Sequence, residues 1–397
     1  MRMDYAVADH WEGGFDETGL QAWASGLRQR LGTRRVSLGL AFLSPAFSSQ
    51  AAQVLELLRV YGQMPLLVGC SSPGLVAGNR EWEENAGLVL GLYSLPGADL
   101  RACHFTQEQL DGLATPAGWH AHTGIAADST NGWLAFADPF HLDCEAWLDS
   151  WNKAYPGKTV VGGLAGGNLE ERTTQVYLNG EVYEEGGVAV SVGGEFRLIS
   201  LISQGCTPIG DTWTITKTHQ NFIQEIANRP AYEILVDTFN HLTDADRQKA
   251  RGNLLVGLVV NEYLEEFHRG DFLIRNLLAA DPRTGSLIVG ALPRQGQTIQ
   301  FQRRDAAAAS EDLSFLLEQT RRNLAGQTIY GGCLCCCGGR GQHLFGRANH
   351  DAQQIQEKLG PLPLTGFFCN GEIGPVGDRN FLHGYTASLA LFVKPTH

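Results

Sequence analysis

The hydrophobic and polar positions of the chain follow one pattern three times. Each copy begins with a short apolar run that closes in two turn-prone residues; these segments are 37–47, 131–141 and 330–341. A stretch with apolar residues at helical spacing comes next, and a second apolar run follows it. This order predicts a strand, a helix and a second strand in every copy.

Glycines mark the second strand of each copy. Gly69, Gly162 and Gly366 occupy equivalent places, and a third apolar run follows each of them after a loop of variable length. The repeated unit is therefore strand, helix, strand, glycine loop and strand. A repeat of this kind sets the whole architecture, and it predicts an α/β fold with mixed sheets.

The copies are predicted to form two tandem related domains. We place the boundary near residue 225, before a predicted helix. The N-terminal domain, 25–225, then holds two copies, and the C-terminal domain, 226–397, holds the third. An eroded fourth copy is predicted in the C-terminal domain from the apolar runs 253–263 and 285–293.

Four of the nine cysteines lie in "GGCLCCCGGRG", residues 331–341. Aligned by the repeat, Cys335, Cys336 and Cys337 take the places of the apolar segments 41–43 and 135–137. A free cysteine packs as a small hydrophobe, and neighbours in a strand point to opposite faces. A zinc site needs four converging ligands, usually from paired turns. The spacing therefore favours core residues over a structural metal.

Composition narrows the classes of function. The net charge is −12 and the pI is about 5.5, which argues against a grip on nucleic acid phosphates or anionic lipid. The sequence has no apolar run of membrane-spanning length and predicts no secretion signal. An odd number of clustered cysteines is typical of a reducing compartment. We expect a cytoplasmic protein without nucleic-acid or membrane partners.

The main candidate site lies where the first strand of the third copy ends. Cys337 precedes the turn "GGRG", which brings backbone N–H groups close to the Arg340 guanidinium. Such groups bind anions or carboxylates and lower the pKa of a nearby thiol. Strand ends are also the usual ligand sites of α/β sheets. Alternatively, the glycines only turn the chain and Arg340 pairs with a structural acid.

Asn370 and Glu372 follow the next strand of the same copy. A buried carboxylate needs a partner, so Glu372 is expected to receive the amino group of a ligand whose carboxylate binds Arg340. The alternative is a salt bridge between Glu372 and Arg340 that joins the two loops. Cys70, on the equivalent loop of the first copy, is a further pocket candidate or a small turn residue.

His383 begins the last strand and has either a structural or a ligand-binding role. Two alternatives to simple ligand binding use it. Noncovalent haem needs one histidine and an apolar cleft, although the chain carries no covalent haem motif. A cysteine hydrolase would use Cys337 as nucleophile, His383 as base, and Glu372 or Asn370 to orient the histidine.

The longer motifs resemble the FIST family. "CCGGRGQHLFG" and "PLTGFFCNGEIGPVGDRNFLHGYTASLALF" are similar to its C-terminal half, while "PLLVGCSSPGLVAG", "GLVLGLYSLPGADL" and "QGCTPIG" are similar to its N-terminal half. The resemblance runs from about residue 25 to 393. It implies a non-enzymatic sensory protein that binds an amino acid or a similar small anion. It also implies output through contact with a kinase or cyclic-di-GMP protein, with haem binding and a nitric oxide response as an alternative.

Overall fold

The computed structural model describes residues 5–84, 87–113, 115–168 and 170–395. Its 28% helix, 40% strand and several mixed sheets confirm the predicted α/β class. Two compact units divide the chain: one joins the residues up to Ile202 with those from Ser314 onward, and the other is Ser203–Leu313. This division does not follow the predicted boundary near residue 225. In the described ranges, every helix is too short or too polar to span a bilayer.

The first copy of the repeat supplies strands β1 to β6, helices α1 and α2, and a 3-10 turn at Pro45–Gln50. In chain order these elements are β1 Ala6–Glu12, α1 Glu17–Arg30, β2 Leu38–Leu43, α2 Ala51–Tyr61, β3 Leu67–Ser71, β4 Leu75–Ala77, β5 Arg80–Trp82 and β6 Gly87–Tyr93. The helix α2 buries Val54, Leu55 and Leu58, which is the spacing expected for one apolar helix face.

The second copy has the same order after a preceding strand and two short helices. Its elements are β7 Ala98–Phe105, α3 Gln107–Gly112, α4 Pro116–Thr123, β8 Gly132–Ala137, α5 Cys144–Ala154, β9 Val160–Leu164, β10 Val176–Leu178, β11 Glu181–Tyr183, β12 Gly187–Gly194 and β13 Arg197–Ser203. Asp143 starts α5, because its carboxylate accepts the backbone N–H of Ala146 at 2.9 Å.

The unit Ser203–Leu313 is a closed ring of antiparallel strands. Its elements are β14 Cys206–His219, β15 Phe222–Ile226, β16 Arg229–Pro230, α6 Ala231–Asn240, α7 Asp244–Ala250, β17 Leu254–Val259, β18 Phe272–Asp281, β19 Ser286–Val289 and β20 Thr298–Arg304. The strand order is β14-β20-β17-β18-β19-β15, and β15 pairs with β14 again. The two apolar runs of the predicted fourth copy form β17 and β19, which are separated by β18 in this order.

The third copy completes the first compact unit. Its elements are α8 Ala306–Asn323, β21 Thr328–Cys337, α9 Gln342–Phe345, α10 His350–Leu359, β22 Leu364–Cys369, β23 Glu372–Val376, β24 Arg379–His383 and β25 Ala387–Lys394. The helix α8 begins before the boundary between the units. In all three copies the first and second strands pair in parallel, as β2–β3, β8–β9 and β21–β22.

The three copies exchange hairpins in a cycle. The sheet orders are β1-β6-β2-β3-β10-β11, β7-β12-β8-β9-β23-β24 and β13-β25-β21-β22-β4-β5. The hairpin that follows the glycine strand of one copy thus completes the sheet of another. One face of each central strand joins a shared core, in which Phe42, Phe136 and Phe367 meet with ring centroids 4.6–5.7 Å apart. These exchanges make the three copies one folding unit.

The register of the parallel pairs corrects the alignment of the cysteines. The repeated glycines Gly69, Gly162 and Gly366 pair with Ala41, Ala135 and Leu334. Cys335 therefore corresponds to Phe42 and Phe136, and Cys337 corresponds to Ser44 and Asp138, one place later than the sequence alignment had it. That alignment matched the turn residues Gly338 and Gly339 with Ser44 and Pro45, whereas the register matches Cys337 with Ser44.

Packing explains the buried cysteines. In the shared core Phe42 pairs with Cys70, whereas Cys335 pairs with Phe367, so the third copy places its large ring on the other strand. Gly163 packs against Cys335, because a Cβ built on Gly163 would be 3.1 Å from the Cβ of Cys335. Cys335 is small because its neighbours fill the space. Cys336, on the opposite face as predicted, packs toward α10.

Candidate functional site

Three glycine loops meet where the parallel strand pairs end. The loop after β3 is bonded to the loop after β9, since Ser71 Oγ donates to Gly166 O at 2.7 Å. It also reaches the end of β22, where Ser72 Oγ donates to Phe368 O at 2.6 Å. Asn370 Nδ2 closes the circle by donating to Ala165 O at 3.1 Å. The strand ends of all three copies are therefore joined by hydrogen bonds into one cluster of loops.

A polar residue follows or ends the first strand of every copy at this cluster of loops. Ser44, Asp138 and Cys337 each use the backbone N–H to reach the copy's antiparallel strand, bonding Gly87 O, Gly186 O and Thr386 O at 2.8–2.9 Å. Their side chains differ in chemistry and in surroundings. The equivalence of the backbone bonds makes the side chains directly comparable.

The third strand end, that is, the strand end of the third copy, holds a buried carboxylate. Glu372 is fully buried and stands where the register places Leu75 in the first copy and Val176 in the second. Its Oε2 accepts the N–H of Thr386 at 2.9 Å, and the Cys369 thiol donates to Oε1 at 3.2 Å. Burial raises the pKa of Cys369 well above its usual value, and the Glu372 charge raises it further.

Glu372 accepts the backbone N–H that corresponds to the one a serine accepts in the first copy. There the N–H of Gly87, the counterpart of Thr386, donates to Ser44 Oγ at 3.1 Å. In the third copy Glu372 accepts the N–H of Thr386. The Cys337 side chain is therefore not needed as an acceptor for that N–H. The Cys337 sulfur instead lies 3.5 Å from the N–H of Gly339 in the glycine turn, and the residue is partly exposed.

Asp138 gives the second strand end a different polar arrangement. This buried carboxylate accepts Thr174 Oγ1 at 2.6 Å and the backbone N–H of His141 at 2.6 Å. The His141 ring lies beside it, with Nδ1 2.9 Å from the carboxylate. The sequence marked Asp138 only as a turn residue, although a charged residue at a strand end was a usable signal.

Arg340 lies on the other face of β21. Its Nε and Nη2 bind the Asp351 carboxylate at 2.7 and 2.9 Å, and both side chains are buried. Cys336 Sγ also donates to Asp351 at 3.0 Å. Burial would raise the pKa of Asp351, but the guanidinium outweighs it and holds that pKa well below its usual value. The sequence missed Asp351, whose position at the start of α10 was the available signal.

Two buried polar atoms in and beside this ion pair have no hydrogen-bond partner among the residues that the structure describes. They are Nη1 of Arg340 and Oε2 of Glu81. The other oxygen of Glu81 accepts the N–H of Ala352 at 2.8 Å. Burial, followed by the Asp351 charge, raises the pKa of Glu81 to about 7. The cluster therefore holds a carboxyl group that changes charge near neutral pH.

The structure brings together some of the predicted site residues and separates others. Cys337, Asn370 and Glu372 lie at the third strand end, and His383 pairs with Glu372 in the adjacent strand, with Nε2 3.0 Å from Gly374 O. Arg340 lies behind them, so its ion pair is with Asp351 and the alternative pair with Glu372 is wrong.

Cys70 is in the shared core. Its thiol pKa is raised well above the usual value by burial and then by Cys333. A search of the described residues finds no group of three or more His, Cys, Asp or Glu side chains arranged to hold a metal ion.

The fold and site define a three-copy α/β protein whose strand ends carry buried polar side chains. The FIST N domain model matches residues 37–229 and the FIST C domain model matches 231–375. The chain belongs to the FIST family. The two matched segments meet near the predicted boundary between the tandem domains.

The chain also has relatives of nearly equal length. It is 36% identical to uncharacterized protein Rv0628c of Mycobacterium tuberculosis, covering 93% of this chain and 94% of that one. It is 38% identical to uncharacterized protein Mb0898c of Mycobacterium bovis, covering 92% and 93%. Among solved structures, a cyanuric acid hydrolase from A. caulinodans aligns at 8% identity and a TM-score of 0.35, covering 98% of this chain and 99% of that chain. At that score the likeness carries no argument.

Proposed function

We propose that this protein is a small-ligand-binding sensor of the FIST type, and that the ligand binds at the third strand end. Membership of the FIST family supports the sensory role. The residues proposed to meet the ligand are Cys337, Asn370 and Glu372, with His383 in the neighbouring strand. Signalling then proceeds through contact with a partner protein of the kinase or cyclic-di-GMP type.

The buried Glu372 carboxylate is the observation that carries the proposal. Burying a charged group is unfavourable unless it is well paired, and the fold does not require a charge here. The first two copies build the same position with Leu75 and Val176. A carboxylate that the architecture does without is a mark of a functional site.

The surrounding groups favour an amino acid or a similar zwitterion. Glu372 is an acceptor suited to an ammonium group. The glycine turn and the exposed Asn370 amide offer N–H donors suited to a carboxylate. Arg340 contributes through its positive charge rather than by direct contact, because its own hydrogen bonds go to Asp351.

Thermal stabilisation by free amino acids tests this proposal. A ligand present at a hundredfold excess over its Kd stabilises the folded state by about 2.7 kcal/mol, which is a measurable rise in Tm. Glu372→Gln and Asn370→Ala should remove that rise. Asp138→Asn, which changes an equally buried carboxylate at the second strand end, is the matched control and should keep it.

Native mass spectrometry and absorbance of the freshly purified protein identify what it carries. An amino acid or small acid lost on Glu372→Gln supports the proposal. A Soret band lost on His383→Ala would replace it with haem sensing. Equal stabilisation of wild type and Glu372→Gln by the co-purified compound would contradict the assigned site.

A further inference from the structure

The last residues of β21 and β22 are both cysteines and face each other across the parallel pair. Cys337 and Cys369 are register partners, so their side chains project from the same face of the sheet. Neighbouring strands lie about 4.8 Å apart, which falls within the Cα separation that a disulfide spans. The backbone bond from Gly338 N to Cys369 O, 3.1 Å, holds the two strand ends at this spacing.

The two thiols differ in access and in their neighbours. Cys337 is partly exposed, whereas Cys369 is 2% exposed. The Gly339 N–H lies beside the Cys337 sulfur, and the Arg340 charge is close enough to interact with it. Both groups stabilise a thiolate. Cys369 has a proton acceptor of its own, because Oε1 of Glu372 lies 3.2 Å from its sulfur.

We propose that Cys337 and Cys369 form a reversible disulfide when the protein meets a peroxide. The Cys337 thiolate attacks the peroxide, an S–O bond forms, the O–O bond breaks, and hydroxide leaves to become water. The Cys369 thiol then passes its proton to Glu372 and attacks the Cys337 sulfur. An S–S bond forms, the S–O bond breaks, and the departing hydroxide takes the proton from Glu372 as water.

The balance of the reaction is complete. Two thiols and one hydrogen peroxide give one disulfide and two waters, and the peroxide accepts the two electrons. This division of labour, with an accessible first thiol and a second thiol beside it, is the arrangement found in redox-sensing cysteines.

The repeat shows that this pair belongs to the third copy. The same two positions are Ser44 and Ser72 in the first copy, and Asp138 and Ala165 in the second. Cys336, by contrast, lies on the opposite face of β21 and donates to Asp351. A Cys337–Cys369 bond would lock the strand end that carries the proposed ligand site. Its formation requires no ligand, so its test is independent of the ligand test.

Titration of the reduced protein with hydrogen peroxide tests the disulfide. Thiol counting after denaturation should show two thiols lost together, and peptide mapping should recover Cys337 linked to Cys369. In Cys369→Ser the reaction should stop at a Cys337 sulfenic acid that dimedone labels. Glu372→Gln should slow disulfide closure about a hundredfold, as expected for loss of a proton acceptor. Cys103→Ser, at another partly exposed cysteine, should match wild type.

The peptide map of the wild-type protein keeps the test valid even if a variant folds poorly. Recovery of a different linked pair, or of Cys337 joined to a second molecule, would overturn the proposal. So would single oxidation of Cys337 with Cys369 still alkylated in full. Unchanged closure in Glu372→Gln would overturn the assigned role of the carboxylate.

Discussion

The first and third strand ends share their backbone hydrogen bonds but differ in their side chains. In the first copy Ser44 accepts the N–H of Gly87 and the neighbouring position is Leu75. In the third copy Glu372 accepts the equivalent N–H of Thr386, and a thiol stands at the strand end. One long side chain has taken over a structural bond from its neighbour. The two strand ends therefore keep one backbone arrangement and differ in which side chain accepts the N–H.

The ion pairs of the first and third copies also differ, because one is exposed and the other is buried. The first copy carries an exposed ion pair on α2, between Arg59 and Glu56. The third carries the buried pair of Arg340 and Asp351, behind the strand end. An exposed pair is replaceable, whereas a buried pair cannot lose one member without leaving a charge in the interior. We therefore expect loss of one member of the ion pair to lower the free energy of unfolding more in the third copy than in the first.

Breaking the buried pair should have the largest effect. Arg340→Met leaves Asp351 buried without its cation, and we expect a loss of about 3–5 kcal/mol in the free energy of unfolding. Arg59→Met in the first copy should lose less than about 1 kcal/mol. Urea denaturation, followed by the fluorescence of the buried tryptophans, measures both. The double variant Arg340→Met/Asp351→Leu should recover much of the loss, and a double variant worse than the single one would refute this account.

Exchanging the core residues should have the next largest effect. Phe367→Cys removes a buried ring at about 3 kcal/mol, and Cys335→Phe overpacks the core by about 1–3 kcal/mol. The double variant restores the order of the first copy, Phe42 opposite Cys70. It should be more stable than the sum of the single changes by at least about 1 kcal/mol in a double-mutant cycle. Strict additivity would show that the two positions do not share one space.

Converting the third strand end to the first should have the smallest effect. Glu372→Leu leaves the N–H of Thr386 buried without its acceptor, which costs about 1–3 kcal/mol. Adding Cys337→Ser supplies the hydroxyl that Ser44 provides in the first copy and should return about 1 kcal/mol. Cys337→Ser alone, with Glu372 in place, should be nearly neutral. Thermal melting of the three variants tests this prediction. A double variant no more stable than Glu372→Leu would contradict the equivalence of the two strand ends.

The repeat, its strands and its helices could be predicted because their signals are local. The glycines were informative for a physical reason: a Cβ at Gly69 would lie 1.7 Å from the carbonyl oxygen of Ala41. The exchange of hairpins could not be predicted, because nothing in residues 75–82 states which distant strand edge they join. The alignment error of one residue arose from matching the turns by their residue types, because Gly338 is as turn-prone as Ser44 although the register pairs Ser44 with Cys337.

The candidate site was predicted in part. The sequence singled out Cys337 because it ends a strand before a glycine turn, and Asn370 and Glu372 because they are polar residues that follow the next strand. The partner of Arg340 was not found, since Asp351 lies on a separate element and only the packing of α10 on β21 brings it close. Cys369 was not singled out from the sequence, because its place opposite Cys337 depends on the register.

The cyclic exchange of hairpins governs how the chain folds as it leaves the ribosome. The hairpin β4–β5 is made early, yet its sheet partner β22 comes near the end, and the bond from Ser72 to Phe368 closes over 296 residues. The edge of β9 likewise waits for β23, among the last strands made. Pairings so distant in sequence form slowly, and until they form the nascent protein exposes unfinished sheet edges that invite aggregation. A nascent chain that ends before β23 is synthesised is thus left with the edge of β9 unpaired.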